Sequence, residues 1–169
     1  MPSDRLLYRL AAVLGLIGGL ADAFATYSNL WLSTFGNQLL YYFADLLMTP
    51  GLIGVWLFTR EGTGLAGLVA AAGGLAGFML IRSGAAFGGD AYQYGATIVA
   101  LSCALIALPL VRDARFRIAA GLWIAAVVIG LLAPLAPALG LRAVAHLSFG
   151  FGFVAASVAL WRAAGFSAA

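Results

Sequence analysis

The feature that most restricts this chain is a succession of apolar runs, each close to twenty residues long and separated by only a few polar positions. An α-helix rises about 1.5 Å per residue, so about 20 residues carry it across a hydrocarbon layer roughly 30 Å thick. Such runs recur along nearly all 169 residues and leave no room for a separate soluble domain. With 64% hydrophobic and 9% charged residues, the chain lies far outside the composition of soluble proteins.

Reading the runs between polar breaks predicts an all-α, polytopic membrane protein. Residues 1–169 form one transmembrane domain, a six-transmembrane-helix bundle with spans near 6–27, 38–59, 64–83, 94–111, 118–138 and 143–162. The breaks are Ser28, Asn29 and Gly36-Asn37; Glu61-Gly62; Gly88-Gly89-Asp90; Asp113; and Pro137 with Gly140. The segment from Met1 to Arg9, the apolar run after it and Ala21-Asp22-Ala23 together have the outline of a secretory signal. It is counted here as the first spanning helix.

Direction follows from arginine. The net charge of +3 carries no lysine contribution, because the chain has none. Short cytoplasmic loops retain positive charge. Six spans put Arg5, Arg9, Arg60, Arg112, Arg115, Arg117 and Arg162 on one side and Arg82 and Arg142 on the other. The expected arrangement is therefore N-in/C-in, with both termini cytoplasmic, in the cytoplasmic (inner) membrane. Arginines scattered at helix ends anchor a protein in a lipid bilayer and are not a nucleic-acid surface.

Several chemistries drop out. Without lysine there is no Schiff base, and hence no retinal-type chromophore. Cys103 stands alone in an apolar stretch, so no disulfide or thiolate cluster forms within the chain. His146 is the single histidine, which excludes bis-histidine haem ligation. No cofactor is expected. Gly88-Gly89-Asp90 is close to the Gly-x-Gly-Asp motif of intramembrane aspartyl proteases, but Phe87 stands where the motif needs glycine and Asp90 falls between spans, so that reading is rejected.

Small residues recur at four-residue spacing, as at Gly15 and Gly19, Gly73 and Gly77, Ala66, Ala70 and Gly74, and Gly152 and Ala156. In lipid such rows let helix backbones approach closely, here within the bundle or, for the first span, against a second subunit in a homo-oligomer or larger membrane complex. Pro50, Pro109 and Pro134 lie within or near helix ends and are expected to bend them.

The sharpest functional signal comes from depth. On the six-span reading Asp45 lies about 10 Å below the outer boundary and Asp22 reaches the same level from the other direction. His146 sits about one turn into the last span, and Arg82 closes the third span near the outer surface. Gln38, Tyr41, Tyr42, Asp45 and Thr49 are linked by steps of three and four and make one polar stripe on the second span. Tyr27, Asn29, Asn37, Tyr92, Gln93 and Tyr94 rim the mouth. A charged group inside a bilayer costs from about 2.5 to over 10 kcal/mol, so it is retained for a partner, for water or for a task. The bland alternative is that Arg82 pairs with Asp22 or Asp45 and merely pins helices together.

Three functions fit. The first is binding or transport of a small polar or amphipathic molecule in a pocket of the outer half, with Gln38, Tyr41, Tyr42, Asp45, Thr49, Arg82 and His146 as ligand-binding residues. That arrangement is similar in architecture, though in no motif, to the substrate-capture subunits of energy-coupling-factor vitamin transporters. The second is a membrane-embedded isomerase, cyclase or hydrolase acting on a lipophilic substrate, with Asp22, Asp45 and His146 as the acid/base groups. The third is a structural subunit of a membrane complex. A metal held by Asp22, Asp45 and His146 is disfavoured, because nothing in their spacing is specific to it.

Overall fold

The computed structural model describes residues 2–28, 30–87 and 90–166. These form five α-helices and no strand: α1 (Pro2–Ser28), α2 (Thr34–Phe87), α3 (Asp90–Leu110), α4 (Arg117–Leu132) and α5 (Leu141–Phe166). Each of the five is long and apolar enough to cross a membrane. Asn29, Gly88 and Gly89, expected as breaks, lie outside the described residues.

At 54 residues α2 would be about 81 Å long if straight, more than twice the hydrocarbon thickness. It instead folds back at Gly64, where φ 55° and ψ −146° select a conformation open essentially to glycine alone. Arg82, beyond the bend, reaches the Asp45 carbonyl and the Thr49 hydroxyl before it. A Cβ built on Gly74 would likewise meet Leu52. The two arms, 34–63 and 65–87, therefore lie antiparallel and correspond to the runs read near 38–59 and 64–83. The reversal falls at Gly64 and not at Glu61-Gly62, both of which stay helical. Pro50 interrupts nothing: α2 keeps helical dihedral angles through it. Gly36-Asn37 lies in the first turn of α2 and not before it.

The run read as 118–138 is helical only to Leu132. Pro134 and Pro137 follow, and the chain continues as two 3-10 turns, Ala133–Leu135 and Pro137–Leu139, ending at Gly140 with φ 62°. At 16 residues α4 is the shortest helix, about 24 Å long.

The helices close into a ring. α1 packs between the first arm of α2 and α5, the second arm of α2 packs on α3, and α3, α4 and α5 follow in order. Glycines set the closest approaches. A Cβ on Gly15 would lie 3.0 Å from the Gly51 Cα, one on Gly19 2.6 Å from the Gly150 carbonyl oxygen, and one on Gly77 2.8 Å from the Gly95 carbonyl oxygen. The spacing read from the sequence is thus used within the chain. Trp123, Phe149 and Phe153 stack edge to face at the centre, with ring centres 5.2 and 5.3 Å apart, and Gly152 makes room for the Trp123 indole. On the outside, Leu6, Leu10, Val13, Ile17, Leu20 and Phe24 give α1 an exposed apolar face along its whole length, a surface suited to lipid.

The two ends of the ring are distinct. The Arg9 guanidinium lies 5.3 Å from the Trp161 ring centre, Tyr8 meets Phe58, and Phe58 meets both Phe116 and Arg115. The start of α1, the end of α5, the bend at Gly64 and the 111–116 loop therefore gather at one end. The α1–α2 and α4–α5 connections lie at the other.

Candidate functional site

At the end away from the termini the ring encloses a cavity of about 300 Å³. Asp22 of α1, Asp45 of the first arm of α2, and His146 and Arg142 of α5 line it together with Tyr92 of α3. Three different helices therefore bring the three residues read as acid/base candidates to one space.

Asp22 is 4% exposed, and its Oδ2 is buried with no hydrogen-bond partner. It sits there because Gly18 and Gly19, one turn earlier, press α1 against Ala44, Met48 and Gly150 and turn this face of the helix inward. Asp45 is 6% exposed and lies on the same face of α2 as Met48 and Leu52. Among the described residues no hydrogen-bond donor reaches either carboxylate.

Arg82 is placed differently from the simple pairing considered above. Among the described residues it makes no ion pair with a carboxylate. One terminal guanidinium nitrogen donates to the Asp45 backbone carbonyl at 2.9 Å and to the Thr49 hydroxyl oxygen at 2.8 Å, while Nε is buried without a partner. The Thr49 hydroxyl in turn donates to the same Asp45 carbonyl at 2.8 Å. Arg82 thus clasps the two arms of α2 through the main chain. The Asp45 carboxylate is left facing the cavity.

The rest of the stripe divides. Tyr41 is partly buried, its ring 6.3 Å from the His146 imidazole. Thr49 belongs to the Arg82 clasp. Tyr42 is 47% exposed and packs edge-on against Phe43 on the outside of the bundle, and Gln38 is exposed. Neither Gln38 nor Tyr42 lines the cavity. Of the expected rim residues, Tyr92 lines the cavity, Gln93 and Tyr94 are exposed, Asn37 joins the Ser28 hydroxyl across the α1–α2 connection, and Asn29 lies outside the described residues.

Sequence reasoning overlooked most of the apolar walls, Phe78 and Ile81 of α2, Val99 of α3, and Val127 and Leu131 of α4, while Phe149 shares a face of the last span with His146 by its spacing. The row Tyr92, Ala96, Val99, Cys103 and Ile106, in steps of three and four, is the pattern that could have found the inner face of α3. Arg142, read as an anchor, is exposed yet lines the cavity too.

Chemically, the cavity presents two carboxylates with no donor among the described residues, an imidazole, the Arg142 side chain and the Tyr92 and Thr97 side chains, together with walls of hydrocarbon. Such a space favours a molecule that is itself polar at one end. Among the described residues no group of three or more His, Cys, Asp or Glu side chains is close enough to share a metal ion. No family model, curated protein or solved structure matches the chain.

Proposed function

We propose that this protein is a six-span membrane protein that binds or transports a small amphipathic molecule in its cavity. In this reading each arm of α2 crosses the bilayer, both termini lie in the cytoplasm, and the cavity opens toward the outer half of the cytoplasmic membrane. The observation that carries the reading is the Asp22 carboxylate, buried without a donor on the wall of a cavity it shares with Asp45 and His146. A buried carboxylate left unpaired costs about 1–3 kcal/mol or more, and a bound molecule that donates to it offsets that cost.

The orientation draws support from the arginines. Those near the termini, the Gly64 bend and the 111–116 loop share one end, while Arg82 and Arg142 stand at the other. In a Cys103→Ser background, a Leu139→Cys variant is expected to react with a membrane-impermeant maleimide from outside the cell. Gly62→Cys is expected to react only after permeabilisation, and the reverse pattern refutes the orientation.

Binding is tested by mass spectrometry of the protein extracted in mild detergent. A co-purifying small molecule is expected, and Asp45→Asn is expected to lose it while keeping the folded, monodisperse protein. If Asp45→Asn abolishes folding instead, the carboxylate is a structural element and the reading fails. Because His146 shares the cavity with both carboxylates, acid/base catalysis on a lipophilic substrate is the second reading, and chemical conversion of the captured molecule would select it.

A further inference from the structure

The cavity is not walled equally on all sides. Thr97 and Leu101 of α3 and Leu131 of α4 line it, and the same three residues are exposed, Leu101 to 45% and Leu131 to 69%. A residue that lines a cavity and is also exposed marks an opening. This one lies between α3 and α4, the consecutive helices that share the smallest interface.

Local features explain the gap. α4 stops at Leu132 and passes into 3-10 turns, so it is too short to cover the flank of α3. Gly130, lining the cavity near that end, has its nearest neighbour for a Cβ, Ala145, at 3.9 Å. Leu101 lies eleven residues into α3, about 16 Å along the helix axis from its first residue, so the opening descends to roughly mid-membrane. It therefore faces lipid.

The headgroup class follows from what the carboxylates lack. Arg82 is occupied by the Asp45 carbonyl and Thr49, and no donor among the described residues reaches Asp22 Oδ2. A protonated amine supplies three donors and the opposite charge from one compact group. A cation entering from the aqueous rim would meet Arg142, whereas one arriving between α3 and α4 passes Thr97 and Leu101.

We propose that the cavity takes a single-chain amphiphile with a protonated amine head sideways from the bilayer, between α3 and α4. The head lies on Asp22 and Asp45, and the chain lies along Phe78, Val99 and Leu131 and out through the gap. This rests on the binding reading above and specifies its ligand class and route.

The test uses the full chain in zwitterionic nanodiscs with radiolabelled octylammonium, octanol and octanoate, subtracting uptake by empty nanodiscs. Octylammonium is expected to bind saturably and at least about tenfold tighter than octanol, with octanoate weakest. Asp22→Asn with Asp45→Asn should bring octylammonium to the octanol level. Thr97→Trp and, separately, Gly130→Trp should slow octylammonium association at least about tenfold. Equal affinity for the ammonium and the alcohol in the unaltered protein overturns the headgroup assignment without relying on any variant folding. Unchanged association in both tryptophan variants, each shown by size-exclusion chromatography to be folded, overturns the lateral route. Saturable binding of none of the three probes overturns the binding reading itself, and so is told apart from failure of the ligand class alone.

Discussion

The carboxylates at the two ends of the bundle have opposite fates. Asp113, in the loop at the terminal end, takes three hydrogen bonds from Arg115: from its backbone N–H at 2.9 Å, Nε at 3.0 Å and a terminal guanidinium nitrogen at 2.7 Å. Asp22, in the other half, has an oxygen with no partner although it is almost wholly buried. Satisfying a charge was within this chain's means, and it did so where water already lowered the cost. Where the cost is greatest it did not. At the terminal end Tyr8, Phe58 and Phe116 pack together, whereas the other half holds the cavity that both carboxylates line. The contrast separates an end built for packing from one built around a space.

The largest expected effect tests the packing that positions Asp22. A Cβ on Gly150 would lie 2.7 Å from the Gly19 carbonyl oxygen and 2.9 Å from the Ala23 nitrogen, both backbone atoms. Gly150→Leu should cost about 3 kcal/mol or more and abolish the monodisperse peak in size-exclusion chromatography. Gly62→Leu at the opposite end, where a Cβ meets nothing within 4 Å, should stay within about 1 kcal/mol of the unaltered protein. If the two behave alike, the helix contacts do not distinguish the ends.

Next in size is the clasp. Arg82→Met removes both hydrogen bonds between the arms of α2 and should lower stability by about 2–4 kcal/mol in detergent-resistance assays. Asp45→Asn keeps the carbonyl that Arg82 uses and should cost far less. Equal losses would mean that Arg82 works through the carboxylate after all.

Asp22→Leu should have the opposite sign. Replacing an unpaired buried carboxylate by hydrocarbon should raise the melting temperature of the ligand-free protein, by about 1 kcal/mol or more in free energy. A fall in melting temperature would reveal a partner for Asp22.

The smallest effect belongs to Asp113. Hydrogen bonding to Arg115 holds its carboxyl below the usual carboxylate value, so its contribution is present above the unfolded-state value near 4 and is lost as pH falls through the lower folded-state value. In an exposed loop the pair should be worth only about 0.5 kcal/mol. Asp113→Ala should therefore change the melting temperature little at pH 7 and remove the small extra loss of stability below pH 4. A large effect at pH 7 would end the contrast between the two carboxylate sites.

Much of the site was legible because depth along a helix is a linear function of residue number. A rise of about 1.5 Å per residue places Asp22 and Asp45 at about one level and His146 in the same half of the membrane, and all three line the cavity. Azimuth was not legible to the same degree. The polar row on α2 spans enough of the helix circumference that Asp45 faces inward while Tyr42 packs against Phe43 outside, and side-chain polarity alone did not separate them. Arg82 shows a second gap: opposite charges suggested an ion pair, but the guanidinium found a main-chain carbonyl, an acceptor that every residue carries and no pattern reveals.

The apolar runs by themselves determined an all-helical chain with helices of membrane-crossing length, because composition and run length are local properties that lipid reads directly. The glycine spacing determined where backbones could come close. Tertiary structure decided that the break read at Glu61-Gly62 falls at Gly64, that α4 gives way to 3-10 turns after Leu132, and that two carboxylates face a common space with no donor from the described residues. Those outcomes depend on which helix faces lie opposite one another, and that choice is made by contacts between residues far apart in the chain, whose energies no single run contains.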